Sequence, residues 1–295
     1  MTLRIGLIGL GVMGGPMARN IAKAGLPLAV YNRSSGPARA FEGTAVKVAP
    51  TARALFGGAD AIVLMLRDAA ATDAALGRER AAFAVAVAGK IVVNTATMTP
   101  SYSERLGRDI EAAGGRYVEA PVSGSKAPAE TGDLLVMAAG DKTDVDHVDP
   151  VFRAIGKETI YCGAVPGAMR MKCASNALLI GLMGGIVEAV HFAEQSGLDL
   201  ERFSDVALGG PMASDFLRMK LPRARARDFS AQASVKNVAY SLDALLEDAR
   251  DVGAATPGVQ SMRRLCGDAI EAGYADEDVL ALIKVLRSKG AAAEQ

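Results

Sequence analysis

The sequence predicts an α/β chain, with an N-terminal doubly wound parallel sheet followed by an all-α C-terminal domain joined to it by a long helix. Three observations carry this prediction. The first half alternates short apolar runs with amphipathic segments, the pattern of buried parallel strands flanked by helices. A glycine-rich turn separates the first apolar run from the first helical one. From Ala168 to roughly Gln195 the chain has no proline and carries apolar residues at helical spacing.

Taken in order, Leu3 to Gly9 reads as a buried strand, Pro16 to Ala24 as a helix stopped by Gly25, and Leu28 to Asn32 as the second strand. Further strands are expected at Ala45 to Val48, Ala61 to Leu66, Lys90 to Asn94, Arg116 to Val122 and Leu134 to Ala139, with helical stretches such as Ser101 to Ala113 between them. The pattern changes near Gly163-Ala164-Val165-Pro166-Gly167, which sets expected domains of 1–163 and 164–295. Leu242 to Val252 and Asp276 to Leu286 are helical in pattern. Gly181, Gly184 and Gly185 each weaken the long helix by about 1 kcal/mol relative to alanine. Close packing of another backbone, from the same or a partner subunit, is the expected compensation. The tail Ala291 to Gln295 is expected to fray.

Composition narrows the function. At 295 residues, half of them hydrophobic, two domains are the prior. Thirty-three basic residues balance thirty-three acidic ones, so no overall field attracts nucleic acid or anionic lipid, and a small-molecule substrate is expected. Met1 to Ile5 lacks a signal-peptide layout and no clean membrane-spanning run is read, so the expectation is a cytoplasmic protein with no membrane association. Cys162, Cys173, Cys266, His147 and His191 offer no metal-ligand spacing, and the cysteines read as small hydrophobes.

Gly9-Leu10-Gly11-Val12-Met13-Gly14 follows a strand and opens a helix, the context in which GxGxxG binds a dinucleotide. Gly9 permits the tight turn, Gly11 lets the pyrophosphate approach the backbone, and Gly14 lets helix and strand pack closely. The N-terminal domain is thus expected to be of Rossmann type. Where an NAD enzyme carries an acid for the ribose hydroxyls, this chain has Asn32, Arg33 and Ser34. A guanidinium beside an amide and a hydroxyl suits a 2′-phosphate, so NADP(H) is preferred and NAD(H) is possible.

With its continuation through Pro16, Met17, Asn20 and Gly25, the turn resembles the opening of the β-hydroxyacid dehydrogenases. That family includes 3-hydroxyisobutyrate dehydrogenases, tartronate semialdehyde reductases and glyoxylate/succinic semialdehyde reductases. Glu119-Ala-Pro-Val-Ser123-Gly124-Ser125-Lys126, continuing to Gly132, resembles its substrate-binding motif, and Gly167-Ala-Met-Arg-Met-Lys172-Cys-Ala-Ser-Asn176 its catalytic helix. Ser-Gly-Ser-Lys at 123–126 and Ala-Ala-Gly-Asp at 138–141 look most like the glyoxylate/succinic semialdehyde branch.

The resemblance implies Lys172 as catalytic acid/base with Asn176 orienting it or the substrate oxygen. It also implies Ser123, Gly124 and Ser125 at the substrate, Met65, Leu66 and Thr97 at the cofactor with Asn94 sharing that role, and a homodimer or higher homo-oligomer. Lys172 and Asn176, four apart, share one helix face, and Met169, Met171, Ala174 and Leu178 predict apolar surroundings for the lysine. Hydride transfer to a carbonyl leaves negative charge on oxygen, which a proton-donating cation stabilises. Two alternatives stand beside this reading. One is an imine reductase or reductive aminase of the same fold, which usually has Asp or Tyr at the position of Lys172. The other is a noncatalytic NADPH-binding relative that has lost the lysine.

One family feature fails. Members usually carry Lys-Asp-Leu at the start of a C-terminal helix, and family spacing from Gly253 places it on Tyr240-Ser241-Leu242. Three readings follow: Lys236, one helical turn earlier, fills the gap, the phenol of Tyr240 fills it, or Lys236 is solvated and Tyr240 a packed residue with a polar tip.

Overall fold

The computed structural model describes residues 2–78 and 82–293. The chain divides into two compact units, Met1–Lys172 and Cys173–Gln295. The first unit runs β1 (Ile5–Ile8), α1 (Gly14–Lys23), β2 (Leu28–Tyr31), α2 (Ser35–Ala38), β3 (Lys47–Val48), α3 (Ala52–Gly58), β4 (Ala61–Leu64), α4 (Ala69–Leu76), α5 (Ala82–Val87), β5 (Ile91–Asn94), α6 (Pro100–Ala112) and β6 (Arg116–Glu119). β7 (Val122–Ser123), α7 (Lys126–Thr131), β8 (Leu134–Ala138), α8 (Lys142–Ile155) and β9 (Gly156–Tyr161) follow.

Six strands pair in parallel in the order β3-β2-β1-β4-β5-β6. Residues of β1, β4 and β5 are buried throughout because successive side chains enter opposite layers. Leu7, Val30, Val63, Val93 and Val118 pack with Met17, Ile21, Val148 and Phe152 on one face. Ile8, Ile62, Leu64 and Val92 pack with Leu55, Leu106 and Ile110 on the other. Reversal of strand order at β1 opens a crevice beyond its C-terminal end, where such sheets bind ligands.

The strand expected across Arg116 to Val122 is broken. β6 ends at Glu119, Ala120 and Pro121 intervene, and β7 joins a separate three-stranded sheet, antiparallel to β8, which is itself parallel to β9. Pro121 has no N–H to donate, so a continuous ladder cannot pass through it. Its carbonyl accepts from Met137 N at 3.0 Å. Leu134 to Ala139 therefore lies outside the main parallel sheet. The two sheets meet at an antiparallel bridge where Glu119 and Ala139 exchange N–H···O bonds of 2.9 Å. β9 escaped the sequence reading because its Lys157, Glu158 and Thr159 are polar and it forms the sheet's edge.

α9 (Gly167–Gln195) is one continuous helix. It is followed by α10 (Leu200–Gly209), α11 (Asp215–Arg225), α12 (Val235–Asp251), α13 (Pro257–Glu271) and α14 (Leu282–Ala293). Met183, Val187 and Val190 of α9 pack with Leu217, Leu221, Leu242, Leu245, Cys266 and Ile283 in the core of the helical unit. By length and composition α9 is apolar enough to cross a membrane, a run the sequence reading passed over. Only 39% of that window is buried, so its stripe in this core accounts for part of that apolarity and the rest faces outward. Gly184 receives a side chain rather than a backbone, since a Cβ there would lie 2.9 Å from Met262 Sδ. At Gly181 and Gly185 a Cβ would meet nothing within 4 Å. α12 starts at Val235, well before the expected Leu242, and Asp276 to Leu286 contains a 3₁₀ turn, Val279–Ala281, before α14. α14 continues to Ala293 where fraying was expected, while Glu294 and Gln295 lie outside the described residues.

Candidate cofactor and active site

The turn after β1 is shaped by its glycines. Gly9 has φ +101°, a region L side chains avoid, and a Cβ on it would lie 2.2 Å from Met65 O. A Cβ on Gly14 would lie 1.9 Å from Gly9 O, so helix and turn meet there without room for a methyl group. A Cβ on Gly11 would meet nothing within 4 Å. Leu10 is buried, Val12 is 68% exposed and Met13 half-buried, so the turn presents its backbone outward at the start of α1. Open space over Gly11 beside a helix N-terminus fits a pyrophosphate.

Beyond β2, Asn32 is half-buried. Its Oδ1 accepts from Leu10 N (2.9 Å), and its Nδ2 donates to Ser34 O (2.9 Å) and Ser34 Oγ (3.0 Å). The amide ties the glycine turn to the loop after β2. Arg33 and Ser34 are exposed. After β4, Asp68 caps α4 by accepting from Ala71 N at 2.8 Å. That N–H, then Arg67 and more weakly Arg33, hold the Asp68 carboxyl below the usual carboxylate range. Arg67, 83% exposed, adds a cation to this rim that the sequence reading did not single out.

Met65 and Leu66 are half-buried on the same loop, and Met65 Sδ lies 3.3 Å from the Thr95 hydroxyl. Thr97 is half-buried after β5. Asn94 lies beneath this loop. It is fully buried, with Nδ2 donating to Tyr117 Oη (3.3 Å) and Oδ1 accepting from Ala96 N (3.2 Å), so it braces the loop from beneath.

Ser123 is half-buried at the end of β7, and Gly124 (φ +129°) turns the chain into α7. Ser125 precedes α7 without capping it through its side chain. Lys172 and Asn176 are half-buried, one helical turn apart on α9. The apolar surroundings expected for Lys172 are not formed by its sequence neighbours. Met169 is buried, but Met171 (47% exposed), Ala174 and Leu178 (70% exposed) lie on the helix's open side. In the helical unit Lys236 stands in the first turn of α12 and pairs with Asp276, while Tyr240, one turn later, is 41% exposed. Among the described residues no cluster of three or more His, Cys, Asp or Glu side chains is grouped to hold a metal.

A model of the NAD binding domain of 6-phosphogluconate dehydrogenase matches residues 4–163. A second, for NAD-binding of NADP-dependent 3-hydroxyisobutyrate dehydrogenase, matches residues 167–286. The chain belongs to the β-hydroxyacid dehydrogenase family. Glyoxylate/succinic semialdehyde reductase 2 of Arabidopsis thaliana is 30% identical across 97% of this chain and 80% of that protein. The 2-hydroxy-3-oxopropionate reductase of Escherichia coli is 28% identical across 96% of this chain and 97% of its own length. Among solved structures, Mycobacterium tuberculosis 3-hydroxyisobutyrate dehydrogenase superposes with a TM-score of 0.87 at 24% identity, covering 97% of this chain and all of that one. An imine reductase from Pseudomonas sp. shares the fold at a TM-score of 0.63 and 23% identity, covering 97% of this chain and 100% of its own. As a β-hydroxyacid dehydrogenase the protein is an oxidoreductase that binds a nicotinamide dinucleotide in its Rossmann unit and acts on a small molecule.

Proposed function

We propose that this enzyme transfers a hydride between NADP(H) and a small aldehyde or hydroxy acid bearing a carboxylate, with Lys172 as the acid/base. The observation that carries the reading is a lysine at the family's catalytic position, half-buried and sharing a helix face with Asn176. Residues 1–163 are the dinucleotide-binding domain and 164–295 the substrate and dimerisation domain.

The backbone of Gly9 to Gly14 takes the pyrophosphate, Arg33 and Ser34 take the 2′-phosphate, and Met65, Leu66 and Thr97 line the cofactor. When bound, the nicotinamide supplies or accepts the hydride. Ser123 and Ser125 offer hydroxyls, and with Gly124 backbone N–H groups, to the substrate carboxylate. Lys172 donates its proton as charge develops on the carbonyl oxygen, and Asn176 holds the lysine or that oxygen in line. Lys172 also argues against the imine-reducing and noncatalytic alternatives, in which this position is usually Asp or Tyr, or the lysine is lost. The test is NADPH oxidation over a panel of glyoxylate, semialdehyde acids, their uncharged analogues and cyclic imines. Acids should turn over best, and preferential turnover of imines would overturn the substrate class.

Arg33→Ala should weaken NADPH roughly ten- to a hundredfold while leaving NADH nearly unchanged, the loss of one charge-assisted contact. Titration of both cofactors by fluorescence measures this, and equal losses would remove Arg33 from the 2′-phosphate site.

Lys236 is the replacement for the family's second lysine. In support, α12 begins at Val235, which puts Lys236 in the helix-opening turn where members carry theirs. Lys236→Ala should therefore lower kcat/KM more than Tyr240→Phe, since a phenol is neutral near pH 7. Strong loss in Tyr240→Phe alone would reverse the assignment.

We further propose a cytoplasmic homodimer or higher homo-oligomer. Leu178, Leu179, Leu182 and Phe192 leave an exposed apolar face on α9 suited to a second subunit. Cys162 and Cys266, in no disulfide among the described residues, suit a reducing compartment.

A further inference from the structure

Glu119 has no part in the chemistry above, yet it is fully buried where three elements of the Rossmann unit converge. It closes β6, its backbone forms the bridge to Ala139 that joins the two sheets, and its side chain reaches the start of α9. Oε2 accepts from Ala168 N (3.0 Å) and Met169 N (3.2 Å). These are N–H groups of the first helical turn, which have no partner inside a helix. A Ser, Thr or Asp immediately before the helix normally takes them, but here that residue is Pro166, whose side chain accepts nothing. Glu119 supplies the cap from a distant strand.

The capped turn is held from both sides. Ala168 packs with Met137, Ala139 and Cys162, and Met169 enters the apolar layer under the main sheet. Lys172 follows Ala168 by one helical turn, so a shift of that first turn moves Lys172 with it. We propose that Glu119 is a positioning residue that anchors the first turn of α9, and that its ionisation tightens this anchor and so tunes the placement of Lys172. The inference rests on Lys172 being the acid/base.

The groups facing Glu119 are Arg170 from α9, Ser103 from α6, Tyr117 from its own strand and Cys162 from beyond β9. Burial pushes its carboxyl up to about 7, against the opposing pull of Ser103, the Met169 and Ala168 N–H groups and Arg170. With Oε2 held by the two N–H groups, the buried Oε1 is the oxygen left to take the proton. Protonation at Oε1 leaves Oε2 in place as an acceptor and withdraws its charge. Because the two N–H groups favour the carboxylate, linkage requires that the carboxylate also hold them more tightly than the acid does. The negative form is favoured again by its place at a helix N-terminus.

Two measurements on the full-length enzyme test this. In the wild type the amide resonances of Ala168 and Met169 should titrate together with a midpoint near pH 7, and in Glu119→Gln that titration should vanish. In parallel, kcat should rise through the same midpoint in the wild type and lose that inflection in Glu119→Gln, where a neutral amide caps the helix at every pH. Glu119→Ala should lower kcat on the order of 100-fold, the scale of a misplaced catalytic group, with NADPH affinity within about twofold of wild type. Wild-type amides that stay fixed from about pH 5 to 9 would overturn the ionisation-dependent tightening of the anchor without reference to catalysis or to any variant's folding. An unchanged kcat profile in a folded Glu119→Gln would overturn its link to Lys172. If instead Lys172→Ala kept normal turnover while the amides titrated, the acid/base assignment would fail and the anchor would stand.

Discussion

Lys172→Ala should lower kcat by about 10²–10⁴-fold, the usual worth of a positioned general acid, while NADPH binds almost as tightly as to the wild type. The separation of the two effects follows from the site. Residues assigned to the cofactor lie at the C-terminal ends of β1, β2, β4 and β5, whereas Lys172 is on α9. In reduction the ammonium gives its proton to the nascent alkoxide, and in oxidation the neutral amine receives it, so both directions should suffer together. A loss confined to kcat, equal in kcat/KM, marks an interaction made only in the transition state. Single-turnover absorbance of NADPH reads the hydride step directly. A variant with near-normal single turnover would remove Lys172 from the chemistry, and one that lost NADPH affinity in proportion would recast it as a cofactor ligand.

Legibility in the sequence divides along physical lines. β1, β4 and β5 were readable because buried parallel strands are continuous apolar runs, and the turn at Gly9 because only glycine fits φ +101° against Met65 O. α9 was readable because its helical spacing runs unbroken by proline. β9 was not, since an edge strand with Lys157, Glu158 and Thr159 looks like a loop. Pro121 was visible, but that it breaks one strand and starts another sheet depends on β8 being there to pair with. Orientation was the largest loss. Asn32 and Asn94 stand where cofactor ligands are expected, and the hydrogen bonds that tie their amides to Leu10, Ser34, Tyr117 and Ala96 are not visible in a one-dimensional pattern. Met171, Ala174 and Leu178 failed similarly, because residues one, two or six from Lys172 on a helix point in other directions. Glu119 was read only as the first letter of a substrate motif, and its capping of α9 is a long-range contact that only the fold creates.

Asp278→Ala should destabilise the helical unit by about 3–5 kcal/mol, the cost of breaking a buried ion pair from one side. Asp278 is fully buried, and Oδ1 accepts from Lys220 Nζ at 2.8 Å and Leu280 N at 3.2 Å. Oδ2 accepts from Gln232 N (3.0 Å) and Ala233 N (3.1 Å), with Arg223 nearby at 3.6 Å. Lys220 is itself 2% exposed, so alanine at 278 would strand an ammonium away from water as well as orphaning three N–H groups. Lys220→Met with Asp278→Ala should recover part of the loss, since it removes the stranded charge but not the orphaned N–H groups. Burial alone would raise the Asp278 carboxyl, but Lys220 and the Ala233 and Gln232 N–H groups outweigh it and hold it below its ordinary value of 3.8. A depressed value in the folded state means that this contribution is fully present above pH 3.8 and is lost as pH falls through the folded value. The variant should accordingly lose most of its deficit in strong acid, where the wild type gives up the same interaction. Reach extends to the start of α12 as well, because Asp278 pins residues 232–233 just before it, and Val235 N and Lys236 N donate to Glu277 O and Ala275 O in the adjoining strand-like contact. Denaturant unfolding at neutral and acid pH measures the effect. A loss below about 1 kcal/mol at neutral pH would mean that water replaces Asp278 at little cost and that the entry to α12 is held by its packing alone.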